Sequence, residues 1–322
     1  MANVHIITTG GTIAMRHDEG AGGAIPLLSA GDFLAALPAG LPTLTVEEFC
    51  NLPSAHFTVD TLWGIRQRAI AAVDRPDVDG VVITHGTDTL EETAYLLDLT
   101  VDSPKPVVVT GAMRAASQAG YEGVANLAAA IRVAADPAAR DLGTLVVLND
   151  EIHAARFVAK FDTQALDTFR SWPWGPLGRV YGDRVDIPQR VTRAPLAVER
   201  LEPDVHLLTL TVGCDAGLLE FLVQRGAKGV VIAALGGGRV PPWWMPVIRW
   251  AVGQGTVVVV ASRCPGGRVY DAYGYPGAYR DWLAAGAVAA PALNGPKSRI
   301  RLMAALGAAD DPDVVAQIMA AG

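Results

Sequence analysis

The stretch Thr-His-Gly-Thr-Asp-Thr-Leu-Glu-Glu-Thr-Ala, residues 84–94, decides how we interpret the fold of this chain. It follows an apolar run, Val-Val-Ile at 81–83, which is typical of a buried strand. Its second half opens a segment in which Leu90, Ala94 and Leu97 recur at helical spacing. The pattern therefore predicts a strand that ends in a polar turn and leads directly into a helix. In open α/β sheets, turns of this kind line the crevice where ligands bind.

The same stretch carries more polar side chains than the start of a helix requires. Thr89 and Glu92 fit the S/T-x-x-E capping box. Alternatively, Asp88 caps the helix with Glu91 as its partner. Thr87 is left over in either arrangement, so we predict a functional site at this turn.

A second segment, Val-His-Ile-Ile-Thr-Thr-Gly-Gly-Thr-Ile-Ala-Met at 4–15, repeats this arrangement. Gly10 and Gly11 allow a sharp turn and let the backbone approach a ligand closely, so Gly11 is a candidate substrate-binding residue. A phosphate-binding turn is the alternative, but neither G-x-G-x-x-G nor G-x-x-x-x-G-K-[ST] is present in the sequence. What remains is the hydroxyl of Thr12 at the end of the first strand, matching that of Thr87.

The rest of the chain alternates between short apolar runs and helical patterns, which predicts an α/β protein. Each of two domains should contain a mostly parallel sheet flanked by helices. We predict a larger N-terminal domain over 1–182, a linker over 183–204 and a smaller C-terminal domain over 205–322. The predicted strands are 4–9, 80–84, 106–110, 144–148, 206–212, 229–235 and 256–261. The predicted helices are 61–74, 90–99, 121–135, 215–225, 242–254, 298–307 and 311–320.

Composition excludes several classes of function. The net charge of −7 argues against binding to nucleic acid, whose phosphates attract basic proteins. Cys50, Cys214 and Cys264 lie far apart without C-x-x-C spacing, which argues against a disulfide framework or a zinc site. The first strand begins within a few residues, leaving no room for a signal peptide, and no apolar run is long enough to span a bilayer. We therefore expect a cytoplasmic protein without a membrane segment.

A threonine hydroxyl is a poor nucleophile unless a base or an anion-stabilising environment activates it. Lys160, in the apolar segment Phe-Val-Ala-Lys-Phe at 157–161, is a candidate base because burial disfavours its charged form. The alternative is a lysine whose stem lies on the surface and whose amine reaches water. His85 is predicted to be a packed structural histidine rather than a general base.

Five further motifs occur along the chain. They are Val-Val-Val-Thr-Gly-Ala-Met-Arg at 107–114, Leu-Asn-Asp at 148–150, Val-Ala-Lys at 158–160, Trp-Gly-Pro-Leu-Gly at 174–178 and Ser-Arg-Cys-Pro-Gly-Gly-Arg at 262–268. Together with the two threonine motifs, they resemble the bacterial-type asparaginase/glutaminase family of amidohydrolases over nearly the whole chain.

The resemblance implies a role for each matching residue. Thr12 would attack the side-chain amide carbon and form an acyl-enzyme, and Thr87 with Lys160 would relay the proton. Asp88 would hold the substrate α-ammonium group. Ser54 would contact the α-carboxylate, although a plain turn residue is the alternative at this position. Ammonia would leave first, water would then cleave the ester, and no metal or organic cofactor would be needed.

The sequence also departs from the best-known members of that family. It has no tyrosine within 13–53, where they place one on a mobile lid, and its own lid candidate is the glycine-rich segment 16–23. Gly237 stands where the family has an asparagine that is donated across a subunit interface. The glutamate expected near Tyr273 and Tyr275 is missing too. The sequence therefore does not predict efficient hydrolysis of free L-asparagine or, especially, of L-glutamine.

These observations support an amidohydrolase that acts on asparagine, with two alternatives. One is a hydrolase of another small amide, such as D-asparagine, an N-substituted asparagine or a lactam. The other is a catalytically silent ligand-binding module, but such a module has no need of Lys160. From the resemblance we also predict a homo-oligomer, either a dimer or a dimer of dimers. Trp243, Trp244 and Trp250 would then form either its interface or the core of the small domain.

Overall fold

The computed structural model describes residues 2–20, 22–26, 29–290 and 292–321. The chain divides into two compact units, Met1–Pro195 and Leu196–Gly322. Among the described residues, no helix is both long enough and apolar enough to cross a membrane.

The first unit is built on an eight-stranded sheet with the order β12-β11-β8-β7-β6-β5-β1-β4. Its strands, together with those of the small sheets β2-β3 and β9-β10, are β1 (Asn3–Gly10), β2 (Met15–Asp18), β3 (Gly23–Pro26), β4 (Thr43–Leu52), β5 (Gly80–Thr84), β6 (Val107–Thr110), β7 (Thr144–Leu148), β8 (Glu151–Ala154), β9 (Ala159–Lys160), β10 (Phe169–Arg170), β11 (Gly178–Tyr181) and β12 (Arg184–Asp186). The strands from β7 to β4 run parallel, and β8, β11 and β12 extend the sheet by antiparallel pairing.

Helices cover both faces of this sheet. They are α1 (Ala30–Ala36), α2 (Val59–Val73), α3 (Leu90–Thr100) and α4 (Gly123–Ala135). Adjacent residues of a strand point to opposite faces, so Val82 belongs to the apolar cluster of Leu127 on α4. Ile83 belongs instead to the cluster of Ile65 on α2 and Leu97 on α3. Each fully buried side chain of this kind contributes roughly 1.5–3 kcal/mol to the stability of the fold. Because the two clusters occupy the faces of the sheet, polar groups lie at the ends of the strands.

The second unit contains a smaller parallel sheet with the order β13-β14-β15-β16. Its elements are β13 (Val205–Thr209), α5 (Gly217–Gln224), β14 (Gly229–Ala234), α6 (Met245–Gly253), β15 (Val257–Ser262), α7 (Tyr279–Ala284), β16 (Val288–Ala289), α8 (Gly295–Ala308) and α9 (Pro312–Ala320). Trp244 and Trp282 are buried in its apolar core. Trp243 is 54% exposed, so the predicted tryptophan group divides between core and surface.

The predicted fold class is confirmed, since each unit has a mostly parallel sheet flanked by helices and the N-terminal sheet is the larger. The domain boundaries at 182 and 205 stay a prediction. Within the predicted linker, Arg184–Asp186 form the edge strand β12 of the large sheet. The lid candidate differs from a featureless loop, because Met15–Asp18 and Gly23–Pro26 pair as an antiparallel hairpin.

Candidate active site

The turns that carry the predicted site residues follow neighbouring strands. In the sheet, β1 lies between β4 and β5 and runs parallel to both. Since parallel strands end at the same edge of a sheet, the turns that follow these strands meet there. Gly11 and Thr12 follow β1, Ser54 follows β4, and Thr87 and Asp88 follow β5.

Two glycines allow these turns to touch. Gly11 has φ +84°, and a Cβ at this position would overlap the backbone of Gly86. A Cβ on Gly86 would lie 2.7 Å from Oγ of Ser54. The N–H of Gly11 donates to the carbonyl of Leu52 at 3.1 Å, and its carbonyl accepts from the N–H of Ala14 at 2.9 Å. Gly11 therefore packs closely in the site through its backbone, and its role in substrate binding stays a prediction.

Lys160 reaches the same edge from the short strand β9. Its Nζ lies 2.9 Å from Oγ1 of Thr87 and 2.9 Å from Oδ1 of Asp88. The Lys160 side chain is 18% exposed, whereas that of Asp88 is 66% exposed. The alternative of a lysine that extends along the surface into water does not hold, because the amine faces two polar partners within the protein.

The two threonine hydroxyls have different surroundings. Thr87 is buried and hydrogen-bonded to Lys160. Thr12 is half-buried in a 3-10 turn over Thr12–Ala14. Its hydroxyl has no hydrogen-bond partner among the residues that the structure describes. Thr12 thus presents a hydroxyl that a ligand can engage, while Thr87 already belongs to a polar group with a cation.

Ser54 combines burial with an unused hydroxyl. The residue is 3% exposed, and its Oγ lacks a hydrogen-bond partner within the described part of the chain. Buried polar atoms are almost always paired, so an unpaired one next to a crevice indicates a ligand position. This observation favours the binding role predicted for Ser54 over that of a plain turn residue.

The predicted helix cap is wrong in both of its forms. Thr89 occupies the N-cap position of α3, but its side chain makes no capping hydrogen bond. Its hydroxyl donates instead to the carbonyl of Ser54 at 3.1 Å. Asp88 pairs with Lys160, and a carboxylate oxygen of Glu91 accepts the backbone N–H of Lys160. These polar groups hold the site together rather than closing the end of the helix.

Comparison with known proteins agrees with this geometry. The model of the family "Asparaginase, N-terminal" matches residues 3–193, and that of the "Glutaminase/Asparaginase C-terminal domain" matches residues 204–319. The chain belongs to the asparaginase family. It is 34% identical to the L-asparaginase of Bacillus licheniformis over 302 residues, which cover 93% of this chain and 94% of that protein.

Two further relatives span most of this asparaginase-family chain. The "Probable L-asparaginase periplasmic" of Haemophilus influenzae is 35% identical over 98% of this chain and 92% of its own length. The "Glutaminase-asparaginase" of Pseudomonas fluorescens biotype A is 34% identical over 97% of this chain and 88% of its own length. The resemblance that the sequence motifs indicated is therefore confirmed.

His85 is a structural residue of this asparaginase-family site, as predicted. It is fully buried, with Nδ1 2.6 Å from the carbonyl of Gly86 and Nε2 2.8 Å from Oγ1 of Thr93. Burial lowers its pKa from 6.5 to about 4, although the hydrogen bond to Gly86 opposes that shift. At neutral pH the ring is thus uncharged, donating from Nδ1 to the carbonyl and accepting at Nε2 from Thr93.

This histidine predicts how the stability of the protein depends on pH. Between about pH 4 and 6.5, His85 binds a proton in the unfolded chain but not in the folded one. Stability should therefore fall as the pH drops through this window, by up to roughly tenfold in the folding equilibrium constant per pH unit. Urea unfolding of the wild type and of His85→Gln at several pH values measures the difference, and the variant should lose less stability on acidification. Equal pH dependence in the two proteins would contradict this prediction.

A fourth turn, after β6, borders the site and leads to Tyr121, which the sequence analysis did not assign to the site. A Cβ on Gly111 would lie 3.5 Å from Cγ2 of Thr87. The hydroxyl of Tyr121 donates to the carbonyl of Ile13 at 2.7 Å, which fastens the Thr12 turn. Burial, aided by the charge of the neighbouring Glu122, raises the pKa of Tyr121 to about 12, so this donor keeps its proton. No signal in the sequence indicated this contact, because Tyr121 and Glu122 fell within the predicted helix 121–135, whereas α4 begins at Gly123.

The residues predicted to act across a subunit interface lie in the second unit. The Arg239 guanidinium lies over the ring of Tyr273, 4.9 Å from its centroid, and its Nε is 3.3 Å from Oδ2 of Asp271. Tyr273 stacks on Tyr275 with ring centroids 5.5 Å apart. A Cβ on Gly237 would meet a backbone carbonyl oxygen at 2.8 Å, so the backbone here does not accept an asparagine without shifting. Their role toward a partner subunit stays a prediction.

None of these groups forms an evident metal site. Within the described residues, no three or more histidine, cysteine, aspartate or glutamate side chains are arranged to hold a metal ion.

Proposed function

We propose that this protein hydrolyses the side-chain amide of asparagine to aspartate and ammonia through a threonyl acyl-enzyme. The single observation that carries the proposal is the hydrogen-bonded group of Lys160, Thr87 and Asp88 beside the Thr12 turn. Relatives named L-asparaginase and glutaminase-asparaginase support the same reaction class.

In this mechanism, Lys160 first gives up to water the proton that makes it a cation beside Asp88. Oγ of Thr12 then attacks the amide carbon, and its proton passes through the hydroxyl of Thr87 to the amine of Lys160. The carbon–nitrogen bond then breaks, and the same relay returns the proton to the leaving nitrogen, which departs as ammonia. Water next attacks the ester carbon. Its proton follows the relay, and Oγ of Thr12 leaves as a hydroxyl again, which releases aspartate.

Substrate binding would use the charges of the amino acid itself. The exposed carboxylate of Asp88 suits the α-ammonium group, and the unpaired hydroxyl of Ser54 suits the α-carboxylate. Together these contacts would orient the side-chain amide toward Thr12, and orientation of the reactants is a large part of such catalysis.

The silent binding module is the weaker alternative, because recognition of an amino acid needs no amine bonded to a buried hydroxyl. Another small amide is a closer competitor, since Gly237, Tyr273 and Tyr275 depart from the family pattern. These residues affect which amide fits more than which bond breaks.

Hydrolysis of a panel of amides tests the proposal, measured as released ammonia for the primary amides and as the carboxylic-acid product by chromatography for the others. The panel contains L-asparagine, L-glutamine, D-asparagine, an N-substituted asparagine and a lactam. We expect the highest kcat/KM with L-asparagine and much less turnover of L-glutamine, given the changed specificity positions. Preference for another amide would correct the substrate, and no hydrolysis product from any of them in a folded sample would reject the enzyme.

We also propose a homo-oligomer, a dimer or a dimer of dimers. The second unit carries large apolar side chains that are more than half exposed, at Leu218, Phe221 and Trp243. Such groups favour contact with another protein surface. Light scattering should give at least twice the mass of one chain, and a stable monomer with full activity would contradict this prediction.

A cytoplasmic location is proposed as well. Cell fractionation tests it. Recovery in a periplasmic fraction, the compartment that the name of the Haemophilus influenzae relative gives for that protein, would overturn it.

A further inference from the structure

The backbone N–H and the side-chain amine of Lys160 both form hydrogen bonds to one segment of the chain, residues 87–91. Its Nζ contacts Thr87 and Asp88, both at 2.9 Å. Its backbone N–H donates to Oε2 of Glu91 at 2.8 Å. Because Glu91 lies in the first turn of α3, directly after the turn that carries Thr87, the site and the support of its lysine belong to one rigid element.

We propose that Glu91 is a positioning residue, whose carboxylate fixes the backbone of Lys160 so that the amine meets the hydroxyl of Thr87. This inference rests on the proposed function, in which Lys160 relays the proton. Glu91 does not touch the substrate in this scheme and acts only through the lysine.

The need for such a support follows from the local structure. Strand β9 contains only Ala159 and Lys160, and among the described strands it pairs only with the equally short β10, where Phe169 lies opposite Lys160. A lysine side chain also carries about 2 kcal/mol of rotamer entropy, so its amine is placed well only if its backbone is fixed. A displacement of about 1 Å in a catalytic group can reduce the rate roughly a hundredfold.

The alternative role for Glu91 is electrostatic. An acidic residue in the first turn of a helix is favoured by the helix dipole, and its charge also acts on the nearby ammonium group. Glu91→Gln separates the two roles, because the amide oxygen still accepts the N–H of Lys160 while the charge is gone. Glu91→Ala removes both. Asp60→Ala, in the first turn of α2, is the matched control for the loss of an acidic residue at a helix start.

The first readout is steady-state hydrolysis of L-asparagine. We expect Glu91→Ala to lower kcat by roughly 10- to 100-fold with KM within about threefold. Glu91→Gln should stay within about threefold of the wild type, and Asp60→Ala should match it. Circular dichroism and calorimetric binding of aspartate establish that each variant is folded and that its site is intact. Wild-type kcat in Glu91→Ala, or an equal loss in Glu91→Gln, would overturn the proposal.

The second readout does not depend on turnover. Acetylation of Lys160 by acetic anhydride, followed by mass spectrometry with the exposed Lys228 as internal reference, reports how firmly the amine is held. Glu91→Ala should change the Lys160 rate relative to Lys228, while Glu91→Gln should leave it unchanged. If the wild type releases no ammonia, the proposed function fails and this ratio still decides the positioning role. An unchanged ratio in Glu91→Ala would reject it.

Discussion

Thr12→Ala is expected to abolish amide hydrolysis almost completely, with a fall in kcat/KM of at least roughly a thousandfold. Removing a nucleophile leaves only the binding and polarising groups, which provide a small part of the acceleration. The variant should fold normally, because the hydroxyl of Thr12 has no hydrogen-bond partner among the described residues. Ammonia release and thermal unfolding, measured on the same sample, give both results.

Thr12→Ser and Thr12→Val sharpen this test. The serine variant keeps a hydroxyl and should retain measurable turnover, whereas the isosteric valine variant should behave like alanine. Substantial turnover by folded Thr12→Ala would remove Thr12 from the nucleophile role and leave Thr87 as the candidate.

Lys160→Met is expected to reduce kcat by roughly 10²- to 10⁴-fold, the usual contribution of a positioned acid–base group. Methionine keeps most of the apolar stem and the packing. The ion pair with Asp88 that it removes has a mostly exposed carboxylate and contributes little, but the buried hydroxyl of Thr87 loses its partner, so stability should fall by about 1–3 kcal/mol. Activity assays and urea unfolding measure the two effects.

Lys160→Arg separates charge from proton transfer. An arginine preserves a cation beside Thr87 and Asp88 but cannot give up its proton in a protein. We therefore expect it to be nearly as inactive as methionine, while Lys228→Met, at an exposed site, should have wild-type activity. High activity in Lys160→Arg would mean that the cation, and not the relay, supports the reaction.

The sequence predicted the parallel centre of the large sheet closely. The runs at 80–84 and 144–148 coincide with β5 and β7, because β-branched residues that are buried on both faces give an unbroken apolar signal. Strand β4 was missed although it has ten residues, because its side chains are exposed or half-buried and give no apolar run. Strands β8, β11 and β12 were missed, since each has at most four residues and exists through pairing with its neighbours. The residue pattern of a short segment does not show which strand it will pair with.

The functional site, like the sheet, was predicted from the sequence only in part. The glycine and threonine turns were predictable from their position after apolar strands. The contact between Lys160 and Thr87, 73 residues apart, followed from the family resemblance and not from spacing. The capping prediction failed because the hydroxyl of Thr89 has a partner 35 residues away, the carbonyl of Ser54, and such tertiary partners override a local motif.

The packing of Gly11 on Gly86 also has a consequence for how the protein folds. These glycines follow β1 and β5, which pair in register from Val4 with Gly80 to Thr8 with Thr84. Pairing between strands that are distant in the sequence forms slowly, because closing a long loop costs conformational entropy before the contacts between the strands can stabilise it. The crevice can therefore exist only after β1 has joined its distant neighbour, and in refolding we expect enzymatic competence to return with this late pairing rather than with the first helices.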